Sequence, residues 1–233
     1  MTNRETLEKM NKIFINIFGR ENPYTLEEIL SKFAFDIKLP QKVLDSMTNK
    51  ETWAESINPN KFITQKNMEL FDIQHGWLQK KKDIDSLEDV LKYWKKINYT
   101  TTERIYDSEN VHKSDTIYRS ENVYRSLDCR ECKNTIYCDG CANSEFIMGC
   151  QRTSGSNFCI RVDDSGECIN SYNVICSSKI SNSFFIQDCK DLDECMFCSH
   201  ISNKKYCISN MQCEKEEYFT IKKEIINWIL QKN

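Results

Sequence analysis

From Ser108 to Ile201 every third residue is small or compact and uncharged, while the two residues after it range from Gly to Tyr and Arg and carry all of the charge. The thirty-two positions of this register hold ten Ser, ten Cys, five Ile, four Val, two Thr and one Leu. A period of three is neither the 3.6 of a helix nor the two of a strand. One side chain in three therefore meets the same cramped surroundings. The pattern predicts a thin β-solenoid whose narrow lumen admits nothing larger.

A second period sets the coil length. Ser108-Glu109-Asn110-Val111 returns twelve residues later as Ser120-Glu121-Asn122-Val123. At the same spacing stand His112, Tyr124, Ile136, Met148, Ile160, Tyr172, Phe184, Met196 and Ile208, almost all bulky. The register six residues away (Tyr118, Arg130, Ala142, Ser154, Gly166, Ser178) is different in kind, so twelve is the repeat and six is not. Four inward residues per coil follow. Stacked coils pair as short parallel strands roughly 4.8 Å apart. Two residues before these stand Asn110, Asn122, Asn134, Phe146, Phe158, Asn170, Asn182, Glu194 and Tyr206, of which the Asn side chains suit tight bends and bond along the axis.

Outside the repeat the spacing turns helical. Leu7, Met10, Ile13, Phe14, Ile17 and Phe18 form a stripe that ends near Gly19. Thr25 followed by Glu28 is a capping box ahead of Leu26, Ile29, Leu30 and Phe33. Pro40 interrupts, and a short helix through Val43 and Met47 is expected after it, while residues 51–75 give no clear period. Ser86 and Asp89 open a further helix with Leu87, Val90, Leu91, Tyr93 and Trp94, and Lys215 opens a last one. The expected fold class is α+β: a mainly helical N-terminal domain (1–101), a cysteine- and serine-rich parallel β-solenoid (102–213), and a helix (214–233) capping the last coil.

Composition narrows the role. A net charge of −3 over 233 residues does not favour phosphate binding, so nucleic acid is not indicated. No run of 18 apolar residues predicts a membrane span, and the first residues lack a signal peptide's apolar core. A reducing cytoplasm is the expected location, and there most thiols stay free or metal-bound.

Twelve of the thirteen cysteines share the inward register; Cys176 does not. They admit three readings: compact core side chains, structural zinc on Cys129, Cys132, Cys138 and Cys141 (two CxxC pairs), or disulfides across the lumen. The first leaves the protein without a cofactor; the spacing of three follows from the register itself, which weakens the zinc reading.

The outward ladder is the candidate functional surface. Ile136, Phe146, Met148, Phe158, Ile160, Tyr172, Phe184 and Met196 would make an apolar face larger than a monomer usually exposes. It predicts a protein partner or a homodimer, with cover by the chain's own helices as the competing outcome. No GxGxxG, Walker A, HExxH or GxSxG motif occurs. His75, His112 and His200 stand apart, and Cys198, close to His200, belongs to the inward register. No catalytic residue is assigned, and the expected function is non-enzymatic.

The stretch from Asp188 through Cys189, Cys195 and Cys198, with Asn203-Lys204-Lys205-Tyr206-Cys207-Ile208-Ser209-Asn210 and Lys215-Glu216-Glu217-Tyr218, resembles the C-terminal signature of cysteine-rich proteins from bacteriophages and candidate-phylum bacteria. That group carries no activity to transfer. The resemblance implies a phage or phage-like origin, and the host cytoplasm as location. Together with the apolar ladder and the missing catalytic constellation it leads to the expectation of an inhibitor of a host defence complex, with a structural virion component as the alternative and a zinc-stabilised interaction domain as a further one. The twelve-residue coil is also similar to the short-coil insect antifreeze solenoids, in architecture only.

Overall fold

The computed structural model describes residues 1–58 and 61–231. It is a mixed α+β protein built on a solenoid of about nine turns spaced about twelve residues apart. Successive coils pair in parallel at a shift of twelve: Thr135 lies against Val123 and Ile147, Ile160 against Met148 and Tyr172. The inward register is buried as a separate apolar core of Cys, Val, Ile and Leu.

The period of three has a backbone cause. From Asp107 to Ser209 every third residue has a left-handed φ, and only Gly140, Gly149 and Gly155 among them are glycine. Each run of two extended residues thus ends in a corner, four corners close a coil, and the next side chain points in again. A non-glycine residue there costs about 1–2 kcal/mol. Asn tolerates it best, and the Asn column sits at these corners, with Asn110 donating to Asn122 over 2.7 Å and Asn170 to Asn182 over 3.2 Å.

The lumen explains why Ser and Cys interchange. Ser126 Oγ donates to the Tyr124 carbonyl and accepts the Cys138 backbone N–H at 3.1 Å. Ser114, Ser120, Ser144, Ser156 and Ser177 make the same pair of bonds. Cys138 and Cys150 do it with sulfur, accepting the Cys150 and Val162 N–H groups at 3.5 Å. A side chain of this size with one donor and one acceptor satisfies the backbone inside a lumen that holds no helix or water-exposed edge.

The N-terminal segment departs from the expected helical domain. Helices α1 (Asn3–Phe18) and α2 (Leu26–Phe33) form as read, each with a complete capping box, and Gly19 ends α1 at φ 66°. They do not pack as a unit of their own. Val43 lies in strand β1 (Gln41–Leu44), which pairs antiparallel with β2 (Glu51–Ala54); no helix passes through Val43 and Met47. Asp45 turns the chain between them and accepts bonds from the Met47, Thr48 and Thr64 amides. Strand β3 (Phe62–Thr64) runs parallel to β4 (Thr100–Thr102), and the crossover between them holds α3 (Gln65–His75) and α4 (Leu87–Trp94).

An ion cluster joins this part to the first coil. Asp115, buried, takes two bonds from the Arg104 guanidinium, one from the Arg104 amide and one from the Glu55 amide. The same cluster holds Thr116, a β-branched residue at φ 62°, by its amide and hydroxyl. Helix α5 (Lys215–Ile229) also departs from expectation. It runs back beside the coils, Lys222 reaching Glu194 and Trp228 reaching Phe185, and does not lie over the end. The last coil closes instead on a short antiparallel strand, Met211–Gln212.

Candidate interaction surface

The ladder expected to meet a partner is covered from within. Ile136, Met148, Ile160, Phe184 and Met196 are fully buried, and Tyr172 nearly so, in one core with α1, α2 and α5. Phe18 packs on Tyr172 and Phe184 at ring distances of 5.7 and 5.8 Å, and Phe33 on Tyr172 at 6.0 Å. Phe146 and Phe158 stack 4.6 Å apart, half-buried at the flank of α1, where Lys12 stands over Phe146. The partner-binding assignment is therefore corrected for Ile136, Met148, Ile160, Tyr172, Phe184 and Met196, while Phe146 and Phe158 stay half-exposed: burying the six inside the chain removes the same apolar surface from water that a partner would. The match of lengths favours it, since α1 is about 24 Å long and five coil spacings are also about 24 Å.

Gly149 makes the seal possible. A Cβ there would stand 2.1 Å from the Phe33 carbonyl oxygen, so the end of α2 rests on bare backbone. Arg161 then ties α2 down by two bonds to Asp36.

The CxxC pairs lie inside the lumen. Cys129, Cys132, Cys138 and Cys141 are buried, and their thiols donate to carbonyls of their own coil or the next. Among the described residues no three His, Cys, Asp or Glu side chains converge as a metal group. All thirteen thiols are free; only Cys176 is exposed. Burial pushes Cys159 well above the ordinary thiol range and Cys168 up to about 12. Cys198 is the reverse: a bond from Cys195 lowers it to about 7, yet it is sealed in the lumen. His200 faces solvent 3.7 Å from Asp188, and His112 stacks on Tyr124. The side chain of His75 lies outside those described.

What stays open is the crossover between β3 and β4. None of its described residues from Gln65 to Tyr99 is buried. Helix α4 is amphipathic by sequence and has nothing on its apolar side: Leu87, Val90, Leu91 and Trp94 are 71 %, 45 %, 47 % and 54 % exposed. Their spacing of i, i+3, i+4 and i+7 puts them on one face. Leu78 and Ile84, in the loop that enters the helix, are also exposed. The loop folds back along α4, with Gln79 donating to the Tyr93 carbonyl and Lys82 standing 5.4 Å over the Tyr93 ring. A cleft of about 510 Å³ lies between them, walled by Lys80, Lys81, Lys82, Ile84 and Tyr93. The Ser86 cap and the apolar stripe after it are legible in the sequence, where such a stripe reads as core; the structure corrects that reading, because nothing among the described residues covers it.

No family model, no curated protein and no solved structure matches the chain.

Proposed function

We propose that the chain is a non-enzymatic protein-binding module, in which the helix-clad solenoid is a rigid body and the β3–β4 crossover is the binding arm. One observation carries this reading: a helix with an apolar stripe at i, i+3, i+4 and i+7 stands uncovered on an otherwise well-packed body. Helices of this kind bind by laying the stripe into an apolar groove, and large aromatic anchors such as Trp94 carry much of such an interface. The inhibitor and virion roles expected from the sequence both use protein contacts and add no residue to this surface.

A photo-crosslinking amino acid placed at Val90, and in a control at Ser154 on the solenoid flank, tests it. The expected result is a discrete protein adduct from Val90 and none from Ser154. Adducts from Ser154 with none from Val90 would place binding elsewhere.

A further inference from the structure

The occupant of the arm can be read from its charge. Acids gather at the start of α4, with Asp85, Glu88 and Asp89. Bases gather at its end, with Lys92, Lys95 and Lys96, joined there by Lys82 through its place over the Tyr93 ring. The helix is thus negative at one end and positive at the other, with an apolar stripe between. A surface with that layout is complementary to itself when turned end for end. An antiparallel second copy sets acids against lysines at both ends, lays stripe on stripe, and opposes the two helix dipoles favourably.

We infer that α4 pairs with α4 of a second copy of this chain about a two-fold axis, the isologous contact that most soluble dimers use. This deepens the binding-arm reading and rests on it. The stripe alone is small beside the roughly 800 Å² per partner of a standard interface, so Leu78 and Ile84 belong to the contact and the pairing is concentration-dependent. A parallel pair is disfavoured because it sets acids on acids and lysines on lysines. A uniformly acidic or basic partner is disfavoured for the same reason, since it would meet like charge at one end.

The test is the mass of the full chain in solution between about 1 and 200 µM, where mass action separates monomer from dimer. The wild type should pass from monomer to dimer. Leu91→Asp should stay monomeric with an unchanged melting curve, because Leu91 is not part of the core. Two charge variants test the pairing of charges across the contact. Lys92→Glu/Lys95→Glu/Lys96→Glu makes both ends negative, and Asp85→Lys/Glu88→Lys makes both positive while leaving the Ser86–Asp89 cap intact. Each alone should be monomeric, and an equimolar mixture should restore the dimer. A wild type that is monomeric throughout overturns the pairing, as does a dimer indifferent to Leu91→Asp and to both charge variants. If the wild type is monomeric and Val90 still crosslinks a foreign protein, the pairing has failed and the binding arm has not. If Val90 crosslinks nothing either, both have failed.

Discussion

Ser126 shows how much one side chain decides in this lumen. Its hydroxyl donates to the Tyr124 carbonyl and accepts the Cys138 N–H, and the side chain is fully buried. Ser126→Ala adds no bulk and orphans a buried N–H, which costs about 1–3 kcal/mol in a denaturant melt; Ser126→Cys keeps a donor and an acceptor and should lose less than half of that. The Ser/Cys exchange was legible in the sequence as a matter of size, and its full hydrogen-bond reason was not, because one of the two partners, the Cys138 N–H, lies twelve residues away. The left-handed corners were illegible too. Lys113, Arg119 and Phe197 sit at them, residues with no preference for positive φ that are held there by the ladders above and below. At Gly149 the close approach and not the φ decides, so Gly149→Ala should cost about 1–3 kcal/mol by overpacking against Phe33. The thiols add a pH signature. Cys168 titrates near 12 when folded and at the ordinary 9.0 when unfolded. Between those values the unfolded chain has lost a proton that the folded chain keeps, so stability present below pH 9 is lost as pH rises toward 12. Cys159 shifts the same way for the same reason of burial. Equilibrium unfolding at pH 8, 10 and 11 should show falling stability.

Among the elements, helices were the legible part. Thr25–Glu28 and Ser86–Asp89 are caps that carry their own signature, and both helices start where those residues stand. The strands β1 to β4 were not legible: each has three or four residues, too few to show an alternation, and their pairing is fixed by Asp45 and by distant partners such as Thr102, whose hydroxyl meets Thr52 at 2.7 Å. Where the helices lie was the larger gap. An apolar ladder predicts cover without saying whose, and only the structure shows α1, α2 and α5 laid along it. Phe14, fully buried between α2 and Tyr24, measures how much that cover contributes. Phe14→Ala should cost about 3–5 kcal/mol and expose the ladder, read as a lower melting midpoint and dye binding by the partly opened protein.

The whole molecule is a stack whose coils bury nothing alone. Stability in such an array is shared between neighbours, and here the helices on one flank and the Arg104–Asp115–Glu55 cluster at the first coil bind it further. Unfolding should therefore be a single transition followed equally by strand and helix signals. The β3–β4 crossover stands outside that unit and has no buried residue among those described from Gln65 to Tyr99. Everything else depends on the lumen being closed, and cysteine alkylation followed by mass spectrometry reads that residue by residue. The closed coil predicts that Cys176 labels at once in the folded protein, Cys213 more slowly, and the eleven buried thiols only on unfolding. Rapid labelling of Cys129, Cys132, Cys138 and Cys141 in protein that keeps its native spectrum would contradict it.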